Sequence, residues 1–175
     1  MQKRYILVGL ALALTACAFA ASAFYDAPSP TKLEGVIHDF SPQSTAPTGP
    51  YVVSGPWSLQ FQPSGSASFS AALTMVRSDL NVAAFGGPDS QAARNFHTHH
   101  IDVTDGSVTT VNNVLIATGN ARITSNGNEV FPGSSVRVEV SGGNTVAPSN
   151  MKLTILGPAA AHFTTEPYEG VVLAH

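Results

Sequence analysis

The chain has 175 residues, of which 43% are hydrophobic and only 11% are charged, and its formal net charge is −3 at pH 7. This balance does not fit a nucleic-acid partner, because neutralising phosphates requires clustered lysines and arginines. The chain has a single cysteine, so it cannot build an intrachain disulfide framework, and the fold must depend on its hydrophobic core.

The N-terminus has the layout of a secretory signal peptide. Basic residues Lys3 and Arg4 are followed by an apolar run over residues 5–14 and then by small residues before Phe24. The apolar run is shorter than the roughly 20 residues that span a bilayer. We therefore expect residues 1–23 to be removed and the protein to be exported, to the periplasm or the extracellular space.

An alternative cleavage site lies within the same leader. The residues from Leu14 to Cys17 resemble a bacterial lipobox, in which the cysteine becomes the lipid-bearing first residue. The residues after Cys17 are more apolar than a solvated tether usually is, which favours release. Only lipidation at Cys17 would make the membrane a partner of this protein.

Residues 24–55 are rich in proline, serine and threonine, which disfavours helix and predicts an extended arm. Within this arm we expect one strand, from Gly35 to Phe40. The rest of the chain, residues 56–175, is predicted to form one β domain, because about 150 residues after processing suffice for a single core.

Alternation of apolar and polar residues dominates from residue 56 onward. It predicts strands over residues 57–61 and 67–75, each with one buried face, and a hairpin that pairs residues 136–140 with 151–155. A binding cavity lined by residues such as Phe69 is the less favoured use of the interior, because an ordinary filled core explains the same pattern.

Three sets of residues predict turns between these strands, because glycine accepts a positive φ that strains other residues. They are Asp105-Gly106, Asn126-Gly127 and Gly142-Gly143-Asn144. The chain lacks a long apolar stripe at helical spacing, and only residues 90–96 could form a turn of helix. The predicted fold class is all-β, a single small antiparallel barrel or sandwich of about eight strands. A barrel is favoured, since closure removes exposed strand edges that few charges here would protect.

Residues 97–100 contain three of the six histidines of the chain. If residues 96–103 form a strand, His97 and His99 share the apolar face of Ile101 and Val103 and point inward, whereas His100 lies outside beside Asp102. Two histidines two residues apart on a strand can reach one metal ion. Imidazole suits zinc, copper, nickel or iron.

A pair of histidines does not complete a metal site, so a further ligand must come from elsewhere. His162, expected on a late strand, is the first choice; His38 follows, and Glu166 and Glu169 are carboxylate options. There are two alternatives without a metal: a hydrogen-bonded histidine pair in a polar part of the core, or a solvent-facing histidine patch with no ligand.

The functional prediction is an exported non-catalytic or binding β domain of unknown specificity, in which the inward histidine pair is a candidate site for a metal ion or small ligand. One alternative is a metal-dependent enzyme that uses His97, His99 and His162. Another is a structural domain of the cell envelope or surface, whose partner is an envelope protein. A non-enzymatic role is favoured, because the chain carries no complete catalytic signature.

Overall fold

Alternating side chains along the strands line the two faces of a curved sheet. A computed structural model describes residues 31–79, 96–142 and 150–174, and places ten strands in these ranges. They are β1 (Thr31–Ser41), β2 (Tyr51–Phe61), β3 (Ser66–Arg77), β4 (His97–Val111), β5 (Val114–Asn120), β6 (Arg122–Ser125), β7 (Asn128–Val130), β8 (Ser135–Ser141), β9 (Asn150–Leu156) and β10 (Tyr168–Ala174).

Eight of these strands form a closed antiparallel barrel. Each pairs with the next in the order β3, β2, β1, β10, β9, β8, β5 and β4, and β4 pairs again with β3 to close the ring. The short hairpin of β6 and β7 attaches to the first half of β4, while the second half of β4 pairs with β5. The predicted all-β small barrel is confirmed.

The barrel interior is filled by side chains from alternate strand positions. Strand β3 buries five side chains on one face, as the alternation predicted, and β8 and β9 pair in register with their valine and leucine faces inward. A residual cavity of about 10 Å³ beside Phe69 has room for about one water molecule. The fully buried large side chains are Ile37, Tyr51, Leu59, Leu73, Met75, Ile101, Ile123, Met151, Leu153, Ile155, Phe163 and Tyr168.

The structure corrects the predicted arm over residues 24–55 in the part that it describes, residues 31–55. Strand β1 pairs along its whole length with β2 and at its centre with β10, so residues 31–41 belong to the barrel wall. The predicted strand from Gly35 to Phe40 lies inside β1. Several prolines of this region fall in the loop 42–50, where proline interrupts no ladder of hydrogen bonds.

Two of the predicted turns have different outcomes. Asn126 and Gly127 connect β6 to β7 with φ of 51° and 79°, as predicted for a tight hairpin. The turn predicted at Asp105-Gly106 is wrong, because both residues lie within β4. There Gly106 permits close packing instead: a Cβ atom on Gly119 of β5 would lie 3.0 Å from the Gly106 Cα.

The turn that ends β4 is formed by Asn112 and Asn113, both with positive φ. Other predictions fall outside the described residues: the signal peptide over residues 1–23 with its lipobox cysteine, all but the last residue of the helical turn predicted over residues 90–96, and Gly143-Asn144 of the predicted turn. Within the described ranges, no helix has the length and apolar character needed to cross a membrane.

Candidate metal centre

Three histidines meet at the end of the barrel where β4 begins. His97 and His99 lie at the start of β4, where they pair with Met75 and Leu73 of β3. His162 lies on a helical turn, α1 (Ala160–Phe163), which follows a short 3-10 helix and connects β9 to β10. The site therefore joins the barrel wall to the segment that covers this end.

The two β4 histidines lie on the inward face, as the strand pattern predicted. His99 is only 3% exposed, whereas His97 is half-buried. His100 is exposed on the outer face, where neighbouring Asp102 accepts a hydrogen bond from Ser70 at 3.0 Å. The apparent cluster of three adjacent histidines is thus an inward pair and a separate surface residue.

His162 completes the group, although its predicted position on a strand is wrong. Gly157 has a φ of 80°, which ends β9, and Pro158 then begins the helical segment at a position where its missing N–H removes no hydrogen bond. The change from strand to helix turns His162 toward the barrel and leaves its side chain half-buried.

The imidazole nitrogens of the three histidines converge. The Nε2 atom of His162 lies 3.1 Å from that of His97 and 3.0 Å from that of His99. One ligand atom from each residue lies within 4.8 Å of the other two. Among the described residues this is the group of three or more side chains that could hold a metal ion.

The other predicted ligands lie elsewhere. His38 is exposed on β1, and Glu166 is exposed in the loop after α1. Glu169 is exposed on β10, where it forms an ion pair with Lys152 at 3.0 Å. None of these three side chains belongs to the histidine group.

The two short contacts of His162 cannot both be ordinary hydrogen bonds. An uncharged ring nitrogen carries either one proton or one lone pair in the ring plane, so Nε2 can donate once or accept once. Here the same Nε2 faces two other Nε2 atoms at hydrogen-bond distance. Three lone pairs directed at one shared cation would satisfy all three atoms together.

The surroundings of His99 and His162 keep these two rings uncharged at neutral pH. Burial lowers the pKa of His99 to about 4, and the neighbouring His162 and His97 add to this effect. Burial also lowers the pKa of His162 to about 4, with a smaller contribution from His97. Uncharged imidazole is the form that binds metal ions, because the ligand nitrogen needs its lone pair.

The outer nitrogens of the rings differ in their partners. The Nδ1 atom of His162 lies 3.2 Å from the Thr48 hydroxyl. The Nδ1 atom of His99 is buried, and within the described residues it has no partner at hydrogen-bond geometry. The backbone of Thr124 is nevertheless near enough to favour the protonated ring of His99.

Aromatic side chains surround the three imidazoles. Tyr51 lies 5.6 Å from the rings of both His97 and His162, and Phe163 packs 5.0 Å from His99. Phe131 stacks on His162 at 5.2 Å and adopts a φ of 54°, an unfavourable value for a bulky residue. These rings reduce the contact of the site with water.

Thr48 and the aromatic residues around the site were not among the predicted site residues. Phe163 adjoins His162 in the chain, so its neighbourhood was visible in the sequence. Tyr51, Phe131 and Thr48 reach the site from β2, a turn and a loop, and no local pattern indicates their convergence. No family model matches this chain, and comparisons with curated proteins and with solved structures gave no match.

Proposed function

We propose that this protein binds a divalent transition metal ion through the Nε2 atoms of His97, His99 and His162. The observation that carries the proposal is the pair of short contacts that His162 Nε2 makes with the Nε2 atoms of His97 and His99. Two ordinary hydrogen bonds at one nitrogen would not explain these contacts, whereas three lone pairs directed at one cation would.

The spacing of the nitrogens fits a tetrahedral ion. A zinc–nitrogen bond of 2.0–2.1 Å places two ligand nitrogens about 3.3 Å apart in tetrahedral geometry. The contacts of 3.0 and 3.1 Å are slightly shorter, so small ring movements would admit the ion. Zinc is the first choice, and copper, nickel and iron are alternatives with the same preference for imidazole.

The proposal is tested on untagged protein, because an affinity tag of histidines would itself bind metal. Elemental analysis after purification, followed by titration of chelator-treated protein with zinc, copper or nickel, should give about one ion per chain. Replacing His97, His99 or His162 by alanine should weaken binding by at least about tenfold each.

His100→Ala and His38→Ala are matched controls, because these two histidines are exposed outside the barrel. Both variants should bind metal as the wild type does. Circular dichroism of every variant separates loss of a ligand from loss of the fold. A wild type that is folded but binds no stoichiometric metal would contradict the proposal, and would favour the structural envelope domain.

A second candidate function is metal-dependent catalysis. Three protein ligands leave one position of a tetrahedral ion for water, and a zinc-bound water loses its proton near neutral pH. The half-buried state of His97 and His162 favours this candidate, because it leaves part of the site in contact with solvent. Hydrolysis of an activated ester by the zinc-loaded protein, but not by the His99→Ala variant, would support catalysis.

We also propose that the protein is exported, with cleavage before Phe24. The basic, apolar and small-residue segments of the leader support this proposal. Mass spectrometry of the mature N-terminus distinguishes release at Phe24 from lipidation at Cys17. An intact leader would contradict both.

A further inference from the structure

Thr48 holds the one histidine of the group that does not belong to the barrel wall. Its hydroxyl lies 3.2 Å from His162 Nδ1 and 3.4 Å from the backbone carbonyl oxygen of the same residue. A threonine hydroxyl has one proton to donate and lone pairs to accept with. When the hydroxyl donates to the carbonyl oxygen, it can only accept from Nδ1, so Nδ1 must carry the ring proton.

This arrangement determines which nitrogen of His162 is available for a metal. A neutral imidazole carries one ring proton, and a proton on Nδ1 leaves the lone pair on Nε2. Nε2 is the atom that faces His97 and His99. If Thr48 donated to Nδ1 instead, Nε2 would carry the proton and could not bind a cation.

We propose that Thr48 is a positioning residue for the metal centre: its hydroxyl accepts the Nδ1 proton of His162 and holds the Nε2 lone pair toward the shared ion. This inference rests on the proposed metal-binding function. Hydrogen-bond partners of this kind orient ligand histidines and fix their tautomer in metal sites.

The loop between β1 and β2 is built to hold Thr48 in place. The backbone N–H groups of Thr45 and Ala46 donate to the Pro42 carbonyl oxygen, and that of Gly49 donates to the Ala46 carbonyl oxygen. The Ala46 side chain is fully buried. The loop is therefore anchored on both sides of Thr48, although Thr48 itself is exposed.

A second contact joins the same loop to the chain after α1. The hydroxyls of Thr45 and Thr164 lie 2.8 Å apart, and Thr164 is buried. This contact supports the loop but does not touch a histidine ring. Thr45 is therefore a matched control for Thr48, with the same side chain and loop but no direct access to the metal ligand.

Metal affinity is the first readout. Thr48→Val keeps the shape of the side chain and removes the hydroxyl, and should weaken zinc binding about tenfold, the low end for such partners, because water can reach this exposed position. Thr48→Ser should restore affinity to within about threefold of the wild type. Thr45→Val should lower the melting temperature of the metal-free protein and change zinc affinity less than threefold.

The tautomer of His162 is the second readout, and it needs no metal. The nitrogen NMR shifts of the ring in metal-free protein at neutral pH should show the proton on Nδ1 in the wild type and a mixture of tautomers in Thr48→Val. A wild type that fails to bind zinc overturns the proposed function, whereas the tautomer shift still tests the inference about Thr48. Equal tautomers and equal zinc affinities in the wild type and Thr48→Val would overturn the inference.

Discussion

At the residue scale, the proposed metal centre depends on three histidines whose imidazole nitrogens converge among aromatic side chains. The strand pattern around residue 97 predicted which two histidines point inward, since alternation is a local property. The short distances to His162 Nε2 add a constraint that composition cannot supply. These distances make the metal-binding hypothesis stronger than the alternative of a hydrogen-bonded pair.

Phe131 is a residue whose strained backbone should be measurable. Its φ of 54° costs a non-glycine residue about 1 kcal/mol or more, while its ring stacks on His162. Phe131→Gly relieves the strain and loses the ring, whereas Phe131→Ala only loses the ring. We therefore expect the glycine variant to be more stable than the alanine variant by about 1 kcal/mol in urea unfolding.

The order of these two variants is the reverse of that in an ordinary strand or helix, where glycine is the less stable choice. Asn128→Gly and Asn128→Ala, in the neighbouring strand β7, serve as the control pair and should show the ordinary order. An alanine variant at residue 131 that is as stable as the glycine variant would contradict the strain.

The buried histidines should make the metal-free protein less stable in acid. The pKa of His99 and of His162 is about 4 in the folded chain, against an ordinary value of 6.5. Below about pH 6.5 the unfolded chain therefore binds more protons than the folded one. The free energy of unfolding then decreases as the pH is lowered. The stabilisation is fully present above the unfolded pKa and is lost toward pH 4.

Urea unfolding with a chelator present should show a loss of about 2–3 kcal/mol between about pH 7 and about pH 4.5. This is less than two independent buried rings would give, because solvent screens the half-buried His162 and the pKa shift of His99 depends partly on His162. His162→Gln should reduce this slope, because one of the two titrating rings is gone. A free energy of unfolding that stays constant over this range in the wild type would contradict the prediction.

At the scale of elements, the sequence predicts strands where one face is consistently apolar. Strand β3 meets this condition at each of its buried positions. Strand β1 does not: it buries Gly35 and Ser41, while Val36 and Phe40 are 39% and 48% exposed. Because apolar residues occur on both faces of β1, the alternation is obscured. The sequence therefore predicted only residues 35–40 of β1 as a strand, and placed them in an arm instead of the barrel wall.

The hairpin turns show a second limit of local prediction. Glycine after an asparagine or aspartate indicated two turns, of which only Asn126-Gly127 is one. The turn at Asn112 and Asn113 has the same left-handed backbone without a glycine, since asparagine tolerates positive φ. Close packing of β4 against β5 explains the glycine at Gly106, and this contact is visible only in three dimensions.

Asn113 offers a stabilising substitution that follows from this turn. Its φ of 63° is easier for glycine, so Asn113→Gly should raise the free energy of unfolding by up to about 1 kcal/mol. The reciprocal change, Gly127→Asn, should lower the free energy of unfolding by a similar amount, because its φ of 79° favours glycine. An added Cβ would meet no atom within 4 Å, so the backbone conformation alone causes this loss. Thermal unfolding of both variants is the measurement, and a loss of stability in Asn113→Gly would contradict the turn assignment.

At the scale of the whole molecule, the site joins two parts that the barrel ladder does not connect directly. His97 and His99 belong to the wall, whereas His162 belongs to α1 between β9 and β10. The meeting of residues 48, 97 and 162 follows from barrel closure, so sequence spacing could not predict their distances. A single domain without an intrachain disulfide gains the most from a ligand that links such distant segments.

Metal binding should therefore stabilise the fold and protect one end of it. Free zinc at a hundred times the dissociation constant adds about 2.7 kcal/mol. This corresponds to a rise in melting temperature of roughly 5–10 °C for a domain of this size. Amide hydrogen exchange should slow most in α1 and in the loop 42–50, because zinc holds His162 and Thr48 contacts its ring.

Two comparisons distinguish zinc bound by the three histidines from a general stabilising effect of metal ions. His162→Ala keeps the wall histidines and should lose both the rise in melting temperature and the slower exchange in the loop 42–50. Magnesium, which prefers oxygen ligands, should reproduce neither effect in the wild type. If zinc raised the melting temperature of His162→Ala as much as that of the wild type, the stabilising ion would be bound elsewhere. Within the histidine group, only His162 links the ion to α1.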